Sequence, residues 1–236
     1  MNNRNFTTMK RLTLIIILSI SYTINAWCQD VKTSQIERRN KVAYLKGKQT
    51  PFTGKASEYY LNGVKKSEDA YVNGFRDGFC KTWFENGKLE SQKTYKVNKL
   101  EGSVMAWYLS GAIERKVEFS NDKKHGSYET FHENGKQKAV GQFVNGQKTG
   151  IFRTWFVSGQ LESEITYVNG KEEGTYVEYF VTGKKYCEKE FTAGDETSVK
   201  YWTETGRQMT IEEVNEMIKQ MQSGNLMQQW QQTGGK

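Results

Sequence analysis

Glu90, Glu114 and Glu162 stand at equivalent points of a recurring pattern. Carboxylates in sets are what glycoside hydrolysis uses, one as acid and the other as base or nucleophile. Recurrence argues otherwise here, because an active site breaks symmetry and these residues obey it, as a solvated face would. His125 and His132 are metal ligands by type, but neither has a Cys, His or carboxylate at ligand spacing, so no metal is expected. A catalytic triad, a nucleophile elbow and a phosphate-cradling loop are all missing, since the glycines stand in hairpin turns and not ahead of helices. The residue types point away from an enzyme and from any cofactor.

What remains is a row of rings. Tyr59, Trp83, Trp107, Phe131, Trp155 and Tyr179 recur every 24 residues. Exposed Trp and Tyr on a rigid platform are the residues most enriched in binding hot spots, and stacked rings also suit sugars. The same rings could instead pack over the Lys and Glu stems of neighbouring strands, or lie under a second layer. Both readings stand, and the choice depends on the elements that carry the rings.

Those elements are repeats. TWFENGKLES, residues 82–91, returns as TWFVSGQLES at 154–163, and Gly54, Gly78, Gly102, Gly126, Gly150 and Gly174 keep a strict 24-residue period. Counting each of these as position 0, position 5 carries the rings above, and position 6 is Tyr60, Phe84, Tyr108, His132, Phe156 and Phe180. Position 17 is again always Tyr or Phe, from Tyr71 to Phe191. One turn falls at Asn62-Gly63 and its equivalents, the other at Asn73-Gly74 and its equivalents, so each unit reads as two strands and two reversals. If every loop has two residues, position 6 faces 11, 4 faces 13, 2 faces 15, and the glycine at 0 faces the ring at 17. Positions 2, 6, 11, 13 and 17 then share an apolar face, while positions 5, 12, 14 and 16 share a polar one. This register sets Cys80 and Cys187 nine strand steps apart, roughly 43 Å at ~4.8 Å per strand, too far for a disulfide. Both are expected as small core residues.

AYVNGFRDGFCKTWF (70–84), TYKVNKLEGSVMAWY (94–108) and TYVNGKEEGTYVEYF (166–180) resemble the MORN-repeat variants of many bacterial proteins, a likeness that covers residues 50–206. Proteins of this kind include the YwqK-like antitoxins. The resemblance implies an all-β, elongated antiparallel meander and a protein-binding or immunity role, with no agreed biochemical activity. A cytoplasmic antitoxin has no use for an export signal, and this chain opens on one.

Residues 1–28 read as a signal peptide: Arg4, Lys10 and Arg11 precede LTLIIILSI, and Ala26 and Cys28 occupy the small-residue positions before a cut at Gln29. The apolar run is too short to span a bilayer comfortably, so no integral membrane protein is expected after its removal. A lipoprotein acylated at Cys28 is the alternative, but it wants a small residue where Trp27 stands. The expected location is periplasmic, outer-envelope or secreted. Loss of three basic residues and no acid takes the net charge from +7 to +4. Lys and Glu are interleaved along the chain, so there is no basic stripe for a phosphate backbone and nucleic acid is not an expected partner. An apolar fraction of 36% with 13 Tyr, 12 Phe and 6 Trp fits short strands and tight turns, neither disordered nor thick-cored.

Residues 29–49 read as a lead-in, loose to residue 40, with a first strand at 41–46. After Gly194 the period falters, and 207–224 reads as an amphipathic helix with Thr210 and Glu213 as its capping box. Its expected place is over the last strand's open edge, a partner-docking helix being the alternative. The Gln-rich tail, 225–236, is expected to be disordered. The whole amounts to some thirteen or fourteen strands that serve as a protein-binding scaffold, or alternatively as a module for a glycan or envelope component.

Overall fold

A computed structural model describes residues 29–222. The signal peptide read at 1–28 and the disordered tail read at 225–236 lie outside them. The chain divides into two compact units, one ending at Lys124 and one beginning at His125. Strand order gives a fourteen-stranded sheet, an antiparallel meander with one parallel strand at its start, and a separate two-stranded hairpin.

The unit ending at Lys124 starts with β1 (Asp30–Lys32), a single 3-10 turn (Thr33–Gln35), β2 (Ile36–Arg39) and β3 (Val42–Leu45). The loose lead-in expected to residue 40 is therefore corrected. β1 pairs in parallel with β4 (Gly54–Tyr59), placing Val31 opposite Ala56. β2 and β3 form a hairpin whose Ala43 is buried with Phe52, Ala56 and Tyr71, and Val31, Ile36 and Leu45 pack on that cluster. Apolar burial orders this stretch, and Arg38 adds a hydrogen bond from its Nη2 to the Tyr71 hydroxyl at 2.9 Å. The hairpin covers the first repeat and acts as its cap. The repeats continue as β5 (Lys65–Val72), β6 (Phe75–Trp83), β7 (Leu89–Lys96), β8 (Lys99–Trp107) and β9 (Ile113–Ser120).

The second unit holds β10 (Lys123–Phe131), whose first two residues precede the division, then β11 (Gln137–Val144), β12 (Gln147–Trp155), β13 (Leu161–Val168), β14 (Lys171–Tyr179), β15 (Lys185–Thr192) and β16 (Asp195–Tyr201). Its core is one face of the sheet: Phe143, Phe152 and Ile165 are buried among Tyr128, Tyr167, Tyr176 and Phe191. Phe143 meets Phe152, and Phe152 meets Tyr167, edge to face at 5.5 and 5.1 Å. Gly141 makes room for this packing, because a Cβ there would lie 2.3 Å from Phe152 Cε1.

The expected pairing of position 0 with 17 holds in every repeat, from Gly54 with Tyr71 to Gly174 with Phe191, as does 4 with 13. The reversals at positions 19 and 20 are the expected two-residue turns with positive φ at both residues, as at Asn73 (+49°) and Gly74 (+79°). Val97 adopts the same conformation at +48°, where a β-branched residue is strained. The other reversal differs from expectation. It is a three-residue loop: the Tyr60 N–H bonds Val64 O, the Gly63 N–H bonds Tyr60 O, and only Gly63 has positive φ. The same pair of bonds recurs in all six repeats. The extra residue bulges the returning strand, so position 5, not 6, pairs with 11.

The seventh hairpin is cut short. After β16, the Thr203 N–H bonds Arg207 O and the Gly206 N–H bonds Thr203 O, the same loop again, but only a bridge from Trp202 to Gln208 succeeds it. Helix α1 (Ile211–Gln222) then begins with the expected box: the Glu213 N–H bonds Thr210 Oγ1, and the Thr210 N–H bonds Glu213 Oε2. The Arg207 guanidinium and the Thr210 amide hold the Glu213 carboxyl down at about 2. The expected capping of the edge is corrected: Ile211, Ile218 and Met221 are exposed, as are residues 195–200 of β16.

Two substitutions test this architecture. Gly141→Ala forces Phe152 out of its seat and is expected to cost about 1–3 kcal/mol in urea unfolding. Val97→Asn keeps the turn, relieves its strain and is expected to add about 1 kcal/mol.

Candidate binding face

Placement of the rings is set by the three-residue loop. In the first unit Trp83 pairs with Leu89, Trp107 with Ile113 and Tyr59 with Lys65. In the second, Phe131 pairs with Gln137, Trp155 with Leu161 and Tyr179 with Lys185. Tyr59 is 46% exposed, and the other five are half-buried. They are neither bare on a polar face nor sealed under a second layer.

Positions 11 and 12 have exchanged faces relative to the two-residue register. Lys65 at position 11 sits 5.7 Å over the Trp83 ring, and Lys185 sits 4.8 Å over Trp202. Lys66 at position 12 lies instead over Tyr60, and Tyr186 packs edge to face on Phe180 at 5.0 Å. Leu89 and Leu161 thus leave the apolar face to pack beside the tryptophans.

Ion pairs surround the rings. In the first unit Glu68 takes Lys65 at 2.6 Å and Lys55 at 3.0 Å. Burial pushes the Glu68 carboxyl up, but the two ammonium groups outweigh it and hold it below its usual value. In the second unit Arg153 meets Glu164 at 2.5 Å, and Glu188 takes Lys185 at 2.5 Å and Lys200 at 3.4 Å. Partly exposed pairs of this kind contribute roughly 0–1 kcal/mol each, so their effect is to fix charge positions beside the rings.

The remaining candidates for chemistry are absorbed by the backbone. His132 Nε2 bonds Trp155 O at 2.7 Å, as the Tyr60 hydroxyl bonds Trp83 O at 2.8 Å. His125 Nδ1 accepts the Asn145 N–H at 3.4 Å, the place where Thr53, Asp77, Glu101 and Glu173 accept the equivalent turn amides. No cluster of three metal-ligating residues exists among the described residues. Glu90, Glu114 and Glu162 each sit at their own strand's bulge and do not converge within either unit. Cys80 and Cys187 are buried, as expected; burial first, with carboxylates nearby, pushes their thiols up to about 12 and about 11. Among the described residues no helix is long and apolar enough to cross a membrane.

Sequence reasoning missed two exposed apolar features. The loop tips at position 7 carry Leu61 and Leu109 in the first unit and Val157 and Val181 in the second, all well exposed. Their signal was visible as Leu and Val where a turn asks for no side-chain type. The second feature is the apolar stripe of α1, foreseen as buried.

Comparison with known proteins agrees with this architecture. The MORN repeat variant model matches residues 52–73, 76–96, 124–145 and 148–169. The chain carries MORN-variant repeats, and the two unmatched repeats form the same hairpins. A search of curated proteins finds no match to the chain.

Neither thiol is expected to react with a maleimide at pH 8 in the native protein, and both should react in urea, as mass spectrometry would register. Rapid native labelling of Cys80 or Cys187 would contradict their burial.

Proposed function

We propose that this chain, built of MORN-variant repeats, is an exported, non-enzymatic scaffold that binds another protein through its ring-bearing face. One observation carries the reading: in each unit the position 5 rings are half-buried, each paired across the strand and flanked by ion-paired Lys, Arg and Glu. Rings so held lose little entropy on binding and leave apolar area for a partner, which is the make-up of a hot spot. An immunity or YwqK-like antitoxin role fits such a scaffold, acting in the envelope where the leader at residues 1–28 would deliver it.

A glycan- or envelope-binding role is the second reading, favoured by one place. Tyr59, the most exposed of the six, lines a hollow with Asp30, Val31, Lys32 and Gln35. A ring beside a carboxylate, an ammonium and an amide offers both stacking and hydrogen bonds to a sugar.

Capture from envelope extract on the immobilised protein separates the two. Trp83→Ala and Trp155→Ala should keep the sheet's circular dichroism and lose the captured protein, while Tyr59→Ala should retain it. Loss of binding to an isolated envelope glycan by Tyr59→Ala alone would favour the second reading. Undiminished capture by both tryptophan variants would remove the rings from the interface.

A further inference from the structure

The apolar stripe of α1 is an unfinished contact. A 12-residue helix is marginal in water on its own, and most helical stability in proteins comes from burying an apolar face. Here the face is formed but not buried: Ile211 is 76% exposed, Ile218 39% and Met221 47%, with Val214 and Met217 half-buried. The capping box and the Arg207 pair hold the first turn in place without covering that face.

We propose that α1 is a self-association element, through which two copies of this chain pair in parallel. Spacing names the occupant. Ile211, Val214, Ile218 and Met221 fall at successive a, d, a and d positions of a heptad, the pattern that seats one helix on a like helix. β-branched Ile at both a positions favours two parallel strands. The flanking e and g positions hold Asn215, Met217 and Gln222, so no like charges meet across a symmetric seam. Glu212, Glu213, Glu216 and Lys219 fall at b, c, f and b, pointing away from it. The contact comprises about four side chains per copy, well short of the roughly 800 Å² per partner of a standard interface. The pairing is therefore weak and concentration-dependent. Its use is avidity: a dimer presents two sets of repeats, and the second engagement becomes intramolecular.

Sedimentation over a wide concentration series tests this with the chain from Gln29 onward, which holds every described element. The wild-type mass should rise from monomer toward dimer. Ile218→Asp should move that transition out by about tenfold or more, with the strand signal unchanged. Lys219→Ala, outside the seam, should leave it in place. Ile211→Cys should form a disulfide-linked dimer on oxidation, because in a parallel pair like a positions meet. A wild-type monomer throughout overturns the proposal and gives the stripe to a different protein or to the sheet itself. So does an Ile218→Asp chain that still dimerises, which would place the contact on another surface. Absence of the Ile211→Cys link overturns the parallel arrangement.

Discussion

The glycine at position 9 governs what each repeat presents. Its left-handed conformation closes a three-residue loop, and the loop adds one residue to the returning strand. That residue decides which side chains share a face from the loop to position 13. It seats Leu89 beside Trp83 and Leu161 beside Trp155, and it sends Tyr186 to pack on Phe180. Without the bulge the tryptophans would stand alone on a polar surface. With it they are half-covered and held in place, the state in which an aromatic side chain binds at small entropic cost.

The loops also bind one repeat to the next. The Asn62 amide donates to Glu85 O, the Asn134 amide to Val157 O, and Lys88 and Lys136 reach the carbonyls of Ser110 and Ser158. At the opposite edge each two-residue turn gives an amide back to the preceding repeat, as Asn98 does to Arg76 O and Gly170 to Lys148 O. Polar side chains at the turns thereby satisfy backbone groups that a single-layer sheet cannot hide. The two histidines belong to this set, which is why they hold amides and carbonyls and no metal.

Period and composition were enough to read the repeat, the two-residue turns and the pairing of glycine with ring, since each depends on backbone conformations that few residues adopt. Asn-Gly misled at the other turn, because it serves a two-residue loop and also a type I turn closed by a left-handed glycine. Ser110, Ser158 and Thr182 held the missing clue: they replace Asn where a two-residue loop needs positive φ, and Ser and Thr rarely supply it. The lead-in was illegible for another reason. Val31, Ile36 and Ala43 are too scattered to give a period, and their burial comes from Phe52, Ala56 and Tyr71 further along the chain. The ring row was legible as a set of residues, but its degree of cover was not, because cover depends on the bulge.

The two ends of the repeat array are finished differently, and the sequence records why. At the start, a parallel strand and a hairpin seal the first repeat. At the other end one residue is missing between Gly174 and Gly206, and the loss falls at the place where earlier strands carry their position 0 glycine. Glu188 to Glu190 still pair with Lys200 to Ser198, but Phe191 pairs with Glu196, leaving one extra residue where earlier strands have two. Ser198 replaces glycine there, so the wide bulge that reorients each new strand has gone. β16 runs on for seven residues, turns once at Gly206, and has no eighth strand to meet. Beyond that turn the chain becomes helical, with its apolar stripe exposed. A repeat array must end on a surface unlike its interior if it is not to go on adding strands, and here that surface is a helix, which can pair with a helix but cannot extend the ladder.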